Sequence, residues 1–200
     1  NQRSIGEPGT GFSDSSRILD KSTSTQGQGG FRFGVADLSS NKTYCLMINN
    51  TTLATGVSNS ALPYGLWRHV LFTVSSSDPA LVNFYLNGTL NGTANQNIGA
   101  DITEITTTNA IRIGNRTAQT DRTFDGSIRD VKMWNRVLTA ADIASDYAGT
   151  TPMTGLIHWF KLGGDYADYG AVGVTATNSG SVPSVVDDAL AAAVKAQRVA

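Results

Sequence analysis

The sequence predicts an all-β protein: an antiparallel two-sheet jelly-roll sandwich with a short helix near residues 140–147 and a C-terminal helix. Three observations support this fold class. Short apolar runs of strand length recur along the chain, glycine occupies 21 of the 200 positions, and charged residues make up only 16% of the sequence. Short strands separated by glycine- and asparagine-rich turns are typical of antiparallel sandwiches.

The region 111–134 is predicted to supply two closing strands of the sandwich. Ile111 and Ile113 alternate with a charged residue, as in a half-buried strand. The dipeptide Asp125-Gly126 is a turn signal that precedes a second apolar stretch. The same reasoning predicts hairpin turns at Asn87-Gly88 and at Asn91-Gly92. Predicted strands lie near residues 16–20, 30–36, 43–48, 67–74, 81–86, 110–113 and 127–134.

The short helix has a capping signature at its start. Thr139 is predicted to be the N-cap, with Asp142 completing a capping box three residues later. Ile143 and Tyr147 are four residues apart and are therefore expected to point inward together.

The chain is predicted to have three segments. Residues 1–15 form a polar lead-in, residues 16–151 form the sandwich, and residues 152–200 add a strand, a loop and the C-terminal helix. That helix is expected near 185–199, with Ser184 as its N-cap. The added strand, near 156–162, has three interpretations. It is the last strand of the sandwich, the result of a circular permutation, or a strand donated to a neighbouring copy.

Several motifs together resemble a known family. The segments NAIRIGNR and FDGSIRDVKMWNRVLTAADI resemble the laminin-G/pentraxin-like branch of the concanavalin A-like lectin/glucanase superfamily. Matching pieces occur upstream in the same order, at residues 16–21, 62–70 and 82–88. The resemblance spans Ser16 to Tyr147 and implies a concanavalin A-like sandwich. It also implies binding of sugars, proteins or lipids, often with calcium, without specifying which.

Composition restricts the classes of partner and compartment. The net charge of −1 gives no electrostatic basis for binding nucleic acid or an anionic membrane. No apolar run is long enough for a membrane span. The single cysteine, Cys45, excludes an intrachain disulfide. The chain begins at Asn1 with no visible signal peptide, so a processed or trimmed start is expected. The expected location is extracellular, at a cell surface or at a virion surface.

The sequence argues against catalysis. Glucanases of this superfamily carry acidic residues in the spacing E-x-D-x-E, whereas the two glutamates here, Glu7 and Glu104, have no acid two residues on. Asp165 and Asp168 flank aromatic residues and are expected in a solvated loop. His69 and His158 are each expected to be strand residues with a satisfied ring. The protein is therefore predicted not to be an enzyme.

Two sets of residues are candidates for binding. For sugars, exposed tyrosines beside polar groups are the natural choice, whereas the three tryptophans are predicted to be core residues. The tyrosine candidates are Tyr64, Tyr166 and Tyr169. For calcium, the resemblance points to loop carboxylates and amides. The calcium candidates are Asp14, Asp78, Asn115, Asp121 and Asp125.

Three functions follow as hypotheses. The first is a non-catalytic surface module for adhesion or for recognition of a glycan or protein. The second is a structural subunit of a virion, such as a decoration or tail-fibre protein, or of an extracellular filament. It would assemble with itself or with a particle partner through residues 155–200. The third and least favoured is a glycoside hydrolase.

Overall fold

The fold is given by a computed structural model, which describes residues 16–21, 30–36, 42–49, 52–74, 81–95, 110–115 and 123–178. The elements in this part of the chain are β1 (Ser16–Asp20), β2 (Gly30–Ala36), β3 (Lys42–Asn49), β4 (Thr52–Ala61), β5 (Val70–Val74), β6 (Leu81–Leu86), β7 (Thr89–Asn95), β8 (Arg112–Ile113), β9 (Val131–Trp134), α1 (Ala140–Tyr147) and β10 (Leu156–Phe160). All of the strand pairs are antiparallel.

The described strands form three sheets in two compact units. Unit 1 comprises the described residues up to Ser127 together with Val137–Pro152. It contains a five-stranded sheet of order β4-β3-β2-β1-β8, a three-stranded sheet of order β5-β6-β7, and α1. Unit 2 comprises Ile128–Arg136 and the described residues from Met153 onward, and its sheet pairs β9 with β10. The prediction of an all-β, antiparallel two-sheet sandwich is confirmed.

The core of unit 1 lies between its two sheets. Phe33 and Val35 are two residues apart on β2 and therefore project from one face, and Val82 and Phe84 do the same on β6. All four side chains are buried. The rings of Phe33 and Phe72 lie 4.8 Å apart between centroids, which joins the five-stranded sheet to the three-stranded sheet. Burying each such side chain contributes about 1.5–3 kcal/mol, so these contacts hold the sandwich together.

A bulge shapes β1, the strand between β2 and β8. The register with β2 shifts between Arg17 and Leu19, so Ile18 is the extra residue. This shift allows Arg17 and Asp20, three residues apart, to meet on one face. The Arg17 Nε lies 3.1 Å from the Asp20 Oδ2, and both side chains are 1% exposed. We interpret this buried ion pair as a structural feature of the fold, because a ligand in solution could not reach it.

The turn between β6 and β7 confirms one hairpin prediction. Asn87 and Gly88 both have positive φ, 51° and 78°, as a two-residue type I′ turn requires. Leu86 and Thr89 pair directly across it. The turn therefore has the local conformation that an Asn-Gly dipeptide favours.

The second hairpin prediction, at Asn91-Gly92, is wrong. Both residues lie inside β7, beside a register shift in its pairing with β6. Gly92 has a φ of 128°, and a Cβ there would lie 3.0 Å from the backbone nitrogen of Asn59 on β4. Glycine is needed here for the close approach of β4, because a larger residue would meet backbone atoms.

Helix α1 begins as predicted but turns a different residue inward. Thr139 Oγ1 accepts a hydrogen bond from the Asp142 backbone nitrogen at 3.2 Å, and Asp142 Oδ2 accepts from the Thr139 nitrogen at 2.9 Å. The capping box is thus confirmed, and Ile143 is fully buried. Tyr147, however, is 45% exposed, so the prediction that its side chain points inward is wrong. Asp146 completes the inward face, because it lies three residues after Ile143.

Several predicted boundaries change in the structure. The strand predicted at 67–74 begins at Val70, the one predicted at 127–134 begins at Val131, and the one predicted at 110–113 is reduced to Arg112–Ile113. The strand predicted at 156–162 is β10, which pairs with β9 of the same chain. Strands β4 and β7 were not predicted. The predicted C-terminal helix lies outside the described residues. No helix in the described ranges is both long and apolar enough to cross a membrane.

Candidate functional site

The three candidate tyrosines fall in two parts of the structure. Tyr64 lies between β4 and β5 in unit 1 and is 46% exposed. Tyr166 and Tyr169 follow β10 in unit 2, and Tyr169 is 43% exposed. The Tyr166 hydroxyl accepts a hydrogen bond from Asn178 Nδ2 at 3.2 Å. The Tyr169 ring has an aromatic neighbour, Trp159.

The calcium candidates are placed only in part. Asn115 and Asp125 follow Gly114 and Phe124, whose backbones are joined by a hydrogen bond from the Phe124 nitrogen to the Gly114 oxygen at 2.9 Å. Both candidates are half-buried, and each interacts with another residue. In the described ranges, no group of three or more His, Cys, Asp or Glu is arranged to hold a metal ion. Calcium binding therefore stays a prediction. The remaining candidates lie outside the described residues: Asp14, Asp78 and Asp121.

The chain after β10 folds back along that strand. The Tyr169 nitrogen donates to the Trp159 oxygen at 2.8 Å, and the Val172 nitrogen donates to the Ile157 oxygen at 3.1 Å. Gly170 lies between these contacts, where an added Cβ would be 2.4 Å from the Ile157 oxygen. Because that oxygen belongs to the strand backbone, no larger residue fits without moving β10. Gly170 thus allows the loop to lie directly against the strand.

Asp168 fixes the base of this loop. Its side chain is 0% exposed. Its Oδ1 accepts hydrogen bonds from the Trp159 nitrogen at 2.7 Å and the Gly170 nitrogen at 2.8 Å, and its Oδ2 lies 2.7 Å from His158 Nδ1. Burial alone raises a carboxyl pKa, but these hydrogen bonds outweigh it and lower the pKa of Asp168 to about 2. The expectation that Asp168 lies in a solvated loop is therefore wrong, because the loop packs on β10.

Above this base, two aromatic rings form a partly exposed surface, which we call the Trp159–Tyr169 platform. The ring centroids lie 6.1 Å apart at an angle of 59°. Trp159 Nε1 donates to Asp130 Oδ1 at 3.2 Å, and the Tyr169 hydroxyl donates to Asp165 Oδ2 at 3.0 Å. The bond to Asp165 also raises the pKa of Tyr169 above its ordinary value. Each ring is therefore held in orientation by a carboxylate at its polar atom.

Two lysines lie against the platform. The Lys161 Nζ is 3.8 Å from the Tyr169 ring centroid and 4.9 Å from the Trp159 centroid. The Lys132 Nζ is 5.1 Å from the Trp159 centroid. Lys161 is two residues beyond Trp159 and therefore projects to the same side of the strand. Lys132, on β9, is the cross-strand partner of Trp159. Such cation–π contacts contribute about 0.5–1 kcal/mol at exposed positions.

The platform has the chemical parts of a sugar-binding surface. The face of a pyranose ring that carries C–H groups is apolar and packs on the electron-rich face of an aromatic ring. Hydroxyl groups around the sugar need hydrogen-bond partners, which the lysine ammonium groups and the exposed carboxylates Asp130 and Asp165 supply. The buried Asp168 takes no part in such contacts and instead positions the strand and loop.

A second polar cluster, in unit 1, has a structural role. His69 Nε2 lies 3.1 Å from Asp146 Oδ2 on α1. The His69 backbone nitrogen donates to Asn87 Oδ1 at 3.2 Å, and the Asn87 nitrogen donates to the His69 oxygen at 2.8 Å. These bonds tie the chain before β5 to the β6–β7 turn and to α1. Each histidine thus contacts a buried carboxylate through one ring nitrogen. The prediction of a strand residue with a satisfied ring is confirmed for His158 on β10 and wrong for His69, which precedes β5 and whose buried Nδ1 has no hydrogen-bond partner among the described residues.

The sequence prediction identified Tyr169 but placed Trp159 in the core and did not consider Lys161, Lys132 or Asp130. Trp159 is only half-buried. A signal for this was present, since a lysine two residues after a strand tryptophan occupies the same face, and a lysine side chain keeps its charge in water. No comparable local signal predicts that Asp130 binds Trp159, because the two residues are distant in sequence.

Solved structures of other proteins align with this chain. A candidate carbohydrate-binding protein from Bacteroides ovatus aligns with a TM-score of 0.57 and 16% identity, over 86% of this chain and 51% of the other. This chain thus spans about half of that protein, and the similarity concerns the fold. An S-layer domain-containing protein from Clostridium thermocellum aligns with a TM-score of 0.35 and 24% identity, over 74% of this chain and 65% of the other. That score is too low to support a conclusion. The comparison with curated proteins gives no match.

The family is shown by the sequence. A laminin-G family model of the concanavalin A-like lectin/glucanase superfamily matches residues 10–144, which is well over half of the chain. The match ends before β10, so Trp159, Lys161 and Tyr169 lie beyond it. With a matching sequence over this range and an antiparallel sandwich in unit 1, the chain belongs to the concanavalin A-like lectin/glucanase superfamily, as a laminin-G-like member.

Proposed function

We propose that this protein is a non-catalytic recognition module that binds a glycan through the Trp159–Tyr169 platform. The observation that carries the proposal is a partly exposed tyrosine ring held in a fixed orientation beside a tryptophan. Tyr169 is 43% exposed although its hydroxyl is bound to Asp165 and its ring is in contact with Lys161. A ring oriented before binding loses little side-chain entropy when a ligand packs on it.

The charges of the site support recognition rather than hydrolysis. A glycoside hydrolase needs a carboxylic acid with a raised pKa to protonate the leaving group. The pKa of Asp168 moves in the opposite direction, to about 2, and its two oxygens are bound by three donors. Asp165 is committed to the Tyr169 hydroxyl and to the Ala167 nitrogen. These carboxylates are better suited to holding the platform than to transferring protons.

The fold family is compatible with this proposal. The superfamily includes lectins by name, and the similar Bacteroides ovatus protein is a candidate carbohydrate-binding protein. The proposal includes a location that is extracellular, at a cell surface or at a virion surface. The alternative of a structural subunit depends on donation of the strand near 156–162 to a neighbouring copy. Since β10 pairs with β9 in the same chain, we find no observation that favours strand donation.

The test is a glycan-array screen followed by calorimetric titration of any oligosaccharide that binds. Wild type is compared with Tyr169→Ala and with Tyr64→Ala, a matched control because Tyr64 has nearly the same exposure but lies in unit 1. We expect Tyr169→Ala to weaken binding by about tenfold or more, which corresponds to about 1.4 kcal/mol. Tyr64→Ala should bind like wild type. Equal binding by both variants would place the glycan site elsewhere, and no binding by wild type to any glycan would overturn the proposal.

A further inference from the structure

The Lys161 ammonium group is held at the platform without a carboxylate partner among the described residues. It lies 3.8 Å from the centroid of the Tyr169 ring and 4.9 Å from the centroid of the Trp159 ring. An ammonium group has three N–H donors, and ring faces satisfy them only weakly. The group is therefore oriented by the rings while its donors remain available to an oxygen ligand.

The two exposed carboxylates at the platform are bound to other donors. Asp165 accepts from the Tyr169 hydroxyl and the Ala167 nitrogen, and Asp130 accepts from Trp159 Nε1. The Arg129 Nε lies 3.8 Å from Asp130 Oδ2. Each of these two carboxylates is thus held by a donor other than Lys161. The hydrogen bonds also keep the two carboxylates at the polar edges of the rings rather than over the ring faces.

The described part of unit 2 has more positive than negative groups at its surface. Asp168 is the third acid but is fully buried, so it presents no charge to a ligand. The basic residues are Arg129, Lys132, Arg136 and Lys161, and the other acids are Asp130 and Asp165. The described part of unit 2 therefore has an excess of basic over exposed acidic residues, although the whole chain carries a net charge of −1, and such an excess favours an anionic ligand.

We propose that the platform selects acidic sugars, with Lys161 donating hydrogen bonds to the carboxylate of a hexuronate whose ring packs on Tyr169. This inference rests on the proposed function and names its ligand class. The Lys161 Nζ lies 3.8 Å from the centroid of the Tyr169 ring, and Tyr169 is 43% exposed, so part of the ring remains open to solvent. A uronate ring on that open part brings its carboxylate to the ring edge, within reach of the flexible lysine. A hydrogen bond between ions is about twice as strong as a neutral one, so it discriminates acidic from neutral sugars.

The test compares each acidic sugar with a neutral form of the same ring. Trimers of galacturonate, glucuronate and mannuronate are titrated into the full chain together with their methyl esters, which keep the ring and remove the charge. We expect at least one uronate to bind about tenfold more tightly than its ester, the effect of one hydrogen bond to a charged group. Raising the salt concentration should weaken uronate binding and leave ester binding nearly unchanged.

Variants separate this inference from the proposed function. Lys161→Gln should lower uronate affinity to that of the ester, whereas Lys21→Gln, the same change in unit 1, should not. Tyr169→Ala should weaken both forms. If esters and uronates bind equally well to wild type, the acidic preference is wrong and the glycan-binding proposal survives. If neither form binds while neutral glycans do, the preference is likewise wrong. If no sugar of any kind binds, the proposed function itself fails.

Discussion

Replacing Asp168 tests whether a buried carboxylate holds the loop of the candidate site against β10. Asp168→Asn keeps the shape of the side chain. Its amide oxygen can accept from the Trp159 and Gly170 nitrogens, which both bind Oδ1 in the wild type. Its amide nitrogen then faces His158 Nδ1, which accepts a hydrogen bond in the other neutral tautomer of the ring. Asp168→Asn therefore removes the charge and retains the geometry, whereas Asp168→Ala removes every acceptor.

The expected change in stability follows from the pKa of Asp168. The pKa of Asp168 is lowered from 3.8 to about 2, and this difference corresponds to about 2 kcal/mol of stability for the charged form. A lowered carboxyl pKa stabilises the folded state above the unfolded pKa, and this contribution is lost as the pH falls through the folded pKa. The unfolding free energy of wild type should therefore decrease relative to Asp168→Asn as the pH falls from 3.8 to about 2. Asp168→Ala should cost about 3 kcal/mol above this range, because three partly buried donors lose their acceptor.

The assay is urea unfolding followed by tryptophan fluorescence over a series of pH values. Two of the three tryptophans, Trp134 and Trp159, lie in unit 2 and report on its unfolding. Asp165→Asn is the control, since it removes an exposed carboxylate from the same loop and should change stability by less than about 0.5 kcal/mol. Identical pH dependence of wild type and Asp168→Asn would refute the electrostatic argument. Equal stability of Asp168→Asn and Asp168→Ala would refute the hydrogen-bonding argument.

Two further changes test local packing and capping. Gly170→Ala should destabilise unit 2 by about 1–3 kcal/mol, because its Cβ would lie 2.4 Å from the Ile157 oxygen. Gly163→Ala, where an added Cβ meets nothing within 4 Å, should be nearly neutral, and equal urea midpoints for the two variants would contradict the packing argument. Thr139→Ala should lower the free energy of unfolding by about 1 kcal/mol, because the Asp142 backbone nitrogen loses the side chain that caps the helix. Urea unfolding measures this change. A loss below about 0.3 kcal/mol would show that the capping box contributes little.

Features that depend on neighbouring residues were predictable from the sequence. The capping box at Thr139 and the type I′ turn at Asn87-Gly88 are local, because their hydrogen bonds and φ angles involve residues within a few positions. The strands with apolar alternation were found for the same reason. The polar strands β4 and β7 were missed, since TLATGVSNSA and TLNGTAN contain few large apolar residues. Pairing with neighbouring strands gives them their conformation.

By itself the sequence determined the all-β class, the family, the helix and one aromatic residue of the candidate site. The tertiary structure decided which groups meet. It brings Asp146 to His69 across 77 positions and Asp130 to Trp159 across 29, and it buries Asp168 in a stretch with the composition of a solvated loop. It also makes Asn91-Gly92 part of a strand through the close approach of β4. Local patterns record the conformational preference of each residue, whereas burial and electrostatics depend on groups that are distant in sequence and close only in the folded chain.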